Sequence, residues 1–101
     1  MIKNTLNGKQ KSFLRSMGMT LDPVVNVGKE GISPTVVMAA VEAIKKRELI
    51  KVRVLQNCFD EPKEAITTLA ERTNSNLVQV IGRNGLLFRR NYDKPKIELP
   101  K

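Results

Sequence analysis

Side chains able to do chemistry are sparse in this chain, and their spacing suits holding an anion better than turning over a substrate. Gly28-Lys29-Glu30-Gly31 is the most suggestive element. Two glycines let a ligand approach the backbone without Cβ obstruction. The loop leads into the start of a helix, where unpaired N–H groups favour an anion. Lys29 adds a mobile cation there and Glu30 partly offsets it. A G-x-x-G loop of this kind grips nucleic-acid backbone in KH domains; the plain alternative is a strand-to-helix turn needing positive φ at one or both glycines. A second such quartet, Gly82 to Gly85, ranks behind it. Asn84-Gly85 already reads as a two-residue hairpin tip, with Arg83 projecting from it.

Enzyme chemistry fares poorly. The chain has no histidine to move protons near neutral pH. Cys58 is the single cysteine and is followed by Phe59 and Asp60, so it reads as a packed or loop thiol. Asp60, Glu61 and Glu64 gather where a helix should start, and the helix dipole accounts for them. The phosphate-binding spacing G-x-x-x-x-G-K-[ST] is absent. No disulfide can close within the chain and histidine-based zinc sites are excluded. No catalytic residue, metal ligand or cofactor is therefore assigned.

Charge says more. Eighteen Lys and Arg against ten Asp and Glu leave +8 on 101 residues. An excess that large repels itself and implies a polyanionic partner, nucleic acid or anionic membrane. No apolar run approaches the roughly 18 residues of a membrane span. The opening MIKNTLNGKQKSF lacks the apolar core of a secretory signal, so a cytoplasmic setting is expected, which also suits a lone thiol.

For the glycine loop to face a ligand, a strand must end at it and a helix must begin after it. Val24 to Val27 reads as a short strand behind a turn at Thr20–Pro23. Ser33 as N-cap and Pro34 at the first helical position start a helix whose inward stripe is Val37, Ala40, Val41 and Ile44. Lys45, Lys46 and Arg47 fall in its last turn, where each cation gains about 0.3–1 kcal/mol from the dipole. Upstream, Asn7 and Gln10 pattern a capping box for a helix with Phe13, Leu14 and Met17 on one face and Gly18 at its stop. Downstream, Ile50 to Val54 alternates as a strand with one wet face. A third helix starts near Asp60, buries Ile66, Leu69 and Ala70, and stops at Asn74; Leu77–Ile81 and Leu86–Arg90 are the last strands.

The order αβαβαββ makes one α+β domain over residues 1–101, a mixed four-stranded sheet with helices packed on it and a closing hairpin. Residues 91–101, with two prolines and no clear period, read as a loosely packed tail. If Val52, Val54, Val78, Val80, Leu86 and Phe88 face the helices, then Lys51, Arg53, Gln79, Leu87 and Arg89 point away. That leaves one sheet face open, polar and basic, with Lys9, Lys11 and Arg15 at its margin. Neutralising about five phosphates would give a log K against log salt slope of roughly −3.5 to −4.5. Aromatics at 4% are too few for a stacking platform, and Phe88 points inward, so backbone and shape reading fits better.

Several short segments, in order, carry a resemblance. They are Lys9-Gln10-Lys11, Leu21 to Val25, Val27 to Gly31, Glu48 to Val52, Val78 to Gly82, Leu87-Phe88-Arg89 and Ile97 to Pro100. Together they resemble the YhbY-like bacterial RNA-binding proteins, single-domain members of the CRM (chloroplast RNA splicing and ribosome maturation) group. The resemblance implies a fold similar to the C-terminal domain of bacterial translation initiation factor three. It also implies RNA binding without catalysis, on the precursor of the large ribosomal subunit. The family's glycine loop corresponds to Gly28–Gly31; at the second quartet only Gly82 matches. Phe88 departs from the pattern, since relatives often carry tyrosine there, which makes Arg89 the safer contact.

The expectation is a non-enzymatic, cytoplasmic, monomeric protein whose partner is RNA in the large-subunit precursor and not a membrane. Gly28, Lys29, Glu30 and Gly31 would seat the backbone, Lys51, Arg53 and Arg89 would extend the footprint, and Lys9, Lys11, Arg15 and Arg83 would lie at its margin. The rivals are a protein-interaction adaptor using the third helix or the tail, a general nucleic-acid module without a ribosomal role, a DNA-binding module and, last, a small RNA-modifying enzyme. No recognition-helix signature favours the DNA reading.

Overall fold

The computed structural model describes residues 6–101; part of the stretch read as lacking a secretory core lies outside them. The local start signals are used. Asn7 Oδ1 accepts the Gln10 N–H at 2.8 Å and Gln10 Oε1 accepts the Asn7 N–H at 3.1 Å, closing the capping box of α1 (Gly8–Gly18). Ser33 Oγ accepts the Val36 N–H at 3.2 Å, and Pro34 opens α2 (Pro34–Arg47). The third helix, α3 (Pro62–Arg72), begins at Pro62 rather than near Asp60, and Asn74 with φ 55 turns the chain out of it. The strands are β1 (Pro23–Val27), β2 (Leu49–Val54), β3 (Asn76–Ile81) and β4 (Asn84–Phe88). They form one mixed sheet in the order β1-β2-β4-β3, with β1 parallel to β2 and β4 antiparallel to both its neighbours.

Helices cover both faces of the sheet, which corrects the expectation of one open face. On one face Ala40 and Ile44 of α2 and Ala65, Ile66, Leu69 and Ala70 of α3 pack on Val25, Val27, Ile50, Val52, Val54 and Leu87. On the other, Leu14 of α1 packs with Leu6, Leu49, Val78, Leu86, Phe88 and Ile97. The expected register of β4 is thus off by one: Leu87 faces α2 and α3, while Leu86 and Phe88 face α1. Val78 joins them by alternation from Leu77, and the register shift between Leu77 and Gln79 returns Val80 to the α2–α3 face. The cue was present. Gly85 to Phe88 is buried throughout, and a strand buried on both faces reads as a continuous apolar run rather than an alternating one.

The hairpin tip is likewise corrected. Ile81 pairs with Asn84, so the turn is Gly82-Arg83 and not Asn84-Gly85. Gly82 has φ +58 at the first central position, the place where a type II′ turn takes glycine. Gly85 instead lies inside β4 beneath α3, and a Cβ there would stand 2.6 Å from Ile66 side-chain carbons. The helix closes onto the strand at a glycine because nothing larger fits.

Glu48 ties the tail to this frame. It turns the chain from α2 into β2 with φ 65 and ψ −44, a region that strains any residue but glycine. Its side chain is fully buried. Oε1 accepts the N–H groups of Lys96 at 2.6 Å and Ile97 at 2.7 Å, and Oε2 accepts that of Asn91 at 2.6 Å. Ile97 is thereby buried, Leu99 packs beside it, and Pro100 O accepts from Gln10 Nε2 at 3.0 Å.

Candidate nucleic-acid interface

Because β1 and β2 are parallel, the loops that follow them leave the same end of the sheet. The β3–β4 turn reaches that end too: Arg53 pairs with Asn84, and Val54 N–H donates to Arg83 O at 2.7 Å. Three connections therefore meet there, Gly28–Gly31, Leu55–Asp60 and Gly82-Arg83.

The two glycines of the first loop differ in what holds them. Gly31 donates its N–H to Gly28 O at 3.0 Å and sits at φ +68, so the backbone itself requires glycine. Gly28 has no positive φ. A Cβ on it would make only ordinary contacts, 3.6 Å from Asn57 Oδ1 and from Leu55 Cδ1. Nothing within the chain demands glycine at 28. Lys29 and Glu30 are exposed between them.

The remaining expected residues do not form one stripe. Arg53 is exposed near the same end, and Lys51 is half-buried in a shallow cleft with Gly18, Met19, Gln79 and Ile81. Arg83 does not project: it folds back, donating from Nε to Val54 O at 2.8 Å and from Nη2 to Leu55 O at 2.7 Å. Arg89 leaves the expected face altogether. It is half-buried and donates from Nη1 to Thr73 O at 2.8 Å, closing the C-terminus of α3. Lys9 and Lys11 are exposed on the first turns of α1, beside the tail, while Arg15 is half-buried and donates to Ser12 Oγ at 3.0 Å.

This placement also divides the charge. Lys45, Lys46, Arg47, Arg72, Arg89 and Arg90 gather at the far end, around the C-termini of α2 and α3. Around the glycine loop, the four cations Lys29, Arg53, Lys63 and Arg83 share the end of the molecule with the four carboxylates Glu30, Asp60, Glu61 and Glu64. The loop end is near neutral, so net charge alone does not single it out for an anion.

Sequence reasoning missed Phe59, which is 90% exposed on the loop beside the glycines. Its signal was a phenylalanine next to Asp60 in a short connection that also carries Gln56 and Asn57. Cys58 itself is buried against the α2–α3 core. Among the described residues no group of three or more His, Cys, Asp or Glu is placed to hold a metal, and no helix is long and apolar enough to cross a membrane.

Known proteins share this arrangement of sequence and fold. The family model for the CRS1/YhbY (CRM) domain matches residues 6–89. A Bacillus subtilis protein named probable RNA-binding protein YqeI is 42% identical over 95 residues, spanning 94% of this chain and 99% of the relative. A Haemophilus influenzae protein named RNA-binding protein is 34% identical over 97 residues, covering 96% and 97%. The solution structure of SAV1595 from Staphylococcus aureus aligns with a TM-score of 0.79 and 46% identity, over 95% of this chain and all of that one.

Proposed function

This chain belongs to the CRS1/YhbY (CRM) domain family, and from that premise we propose that it is a non-catalytic RNA-binding protein whose glycine loop seats the RNA backbone. The observation that carries the loop's role is Gly28, a glycine with no conformational or steric need inside the chain, next to a glycine that has one. A bare Cα at 28 serves a ligand that must come close. Lys29 then reaches a phosphate, and Arg53 and Lys51 continue along the uncovered end of the sheet. The names borne by the relatives support RNA as the partner. The finer reading, ribosomal RNA in the precursor of the large subunit within the cytoplasm, rests on the family resemblance.

Two variants test the loop. Gly28→Ala keeps the fold and weakens RNA binding, because its methyl stands where the backbone would approach. Lys29→Glu weakens binding further by reversing the one cation within the loop. Equal affinity of both variants and the parent protein for structured RNA removes the loop from the interface. Sucrose-gradient sedimentation of lysate, with and without RNase, tests the ribosomal assignment: RNase-sensitive co-migration with large-subunit precursors is expected. Migration with free proteins alone overturns it.

A further inference from the structure

Phe59 is the large apolar side chain that folding explains least. It is the most exposed of the large hydrophobic residues among those described, yet the loop that carries it is pinned at several points. Leu55 N–H donates to Val27 O at 2.8 Å, and Cys58 N–H to Leu55 O at 3.1 Å. The carbonyls of Val54 and Leu55 are both held by Arg83. Cys58 inserts into the core, which leaves the next residue directed outward. The same loop borders both glycines: Asn57 and Leu55 lie 3.6 Å from the Cβ position of Gly28, and Asp60 Oδ2 lies 3.5 Å from that of Gly31. Phe59 is therefore one residue, about 3.8 Å in Cα spacing, from a side chain that touches the loop.

Building on the RNA reading of the glycine loop, we infer that Phe59 stacks on an unpaired base of the strand whose backbone lies in that loop. A phenyl face accepts any base and needs no net charge, which suits an end of the molecule where cations and carboxylates nearly cancel. Bases in a continuous duplex are already stacked and cannot reach it, so the substrate class is single-stranded or looped RNA. A ring held on a pinned loop loses little freedom on binding, so most of the contact appears as affinity.

The test uses the full chain and two probes, a hairpin RNA with a long mixed-sequence loop and the same stem closed by a tight loop. F59W should bind the long-loop hairpin like the parent, with its indole fluorescence quenched by the RNA. F59A and F59L should bind it about 10- to 100-fold more weakly while melting at the parent's temperature, since the side chain is outside the core. Affinity for the tight-loop stem should stay nearly level across the series. Parent-like binding by F59A or F59L, with Gly28→Ala still weakened, overturns stacking and leaves the loop reading in place. Failure of the parent to bind either probe overturns both readings together.

Discussion

Replacing Glu48 separates a structural carboxylate from an ordinary acidic residue, and its size can be worked from the contacts. Three backbone N–H groups end on this one side chain at 2.6–2.7 Å. In Glu48→Ala, leaving each donor buried without a partner costs about 1–3 kcal/mol, up to about 9 kcal/mol in all. Releasing the tail sets a ceiling on that loss. It re-exposes Ile97 and part of Leu99, about 3–5 kcal/mol by the usual worth of buried aliphatic side chains. Detachment therefore caps the loss, and a decrease of about 3–5 kcal/mol in a domain of this size lowers Tm by at least ~12 °C. Glu48→Gln keeps one acceptor oxygen but sets an NH2 against a remaining N–H, an intermediate loss of about 2–3 kcal/mol. Glu48→Gly should be more stable than Glu48→Ala by about 1 kcal/mol, because glycine relieves the backbone at φ 65. Thermal melts rank the series, and amide hydrogen exchange at Asn91, Lys96 and Ile97 reads tail release directly. An alanine variant that melts within a few degrees of the parent, with those three amides still protected, would refute the account.

Three further outcomes follow from the geometry. Gly85→Ala should lose about 1–3 kcal/mol in urea unfolding, since the new methyl stands 2.6 Å from Ile66 and forces α3 off the sheet. Arg83→Ala removes both hydrogen bonds to the Val54 and Leu55 carbonyls; a loss of about 1–3 kcal/mol is expected, with faster amide exchange at Cys58. Gly31→Ala should lower stability by about 1 kcal/mol or more through its φ of +68, whereas Gly28→Ala leaves it level or slightly raised. Equal melting temperatures for those two variants would contradict the distinction between the glycines.

The elements were legible in the sequence, and the faces were not. Asn7 with Gln10, and Ser33 with Pro34, encode helix starts because a cap satisfies N–H groups two or three residues away. Apolar spacing likewise marked Ile66, Leu69 and Ala70 as one stripe of α3. The glycine loop between β1 and α2 was legible for the same reason, as punctuation between two local patterns. Alternation, however, says only that successive side chains point oppositely, and reading β4 by it put Leu87 on the wrong side. The hairpin offered glycines at both 82 and 85; what chose between them was Ile66, a residue of α3 that needs Gly85 beneath it. Arg83 and Arg89 looked like free cations until the carbonyls of Leu55 and Thr73 were brought to them. Glu48 carries no local cue to its role, because its partners lie 43 to 49 residues further on. Local structure follows from bonds between near neighbours, which the order of residues specifies. Which polar group is consumed by the fold, and which remains for a ligand, is decided only when distant segments compete for the same buried space.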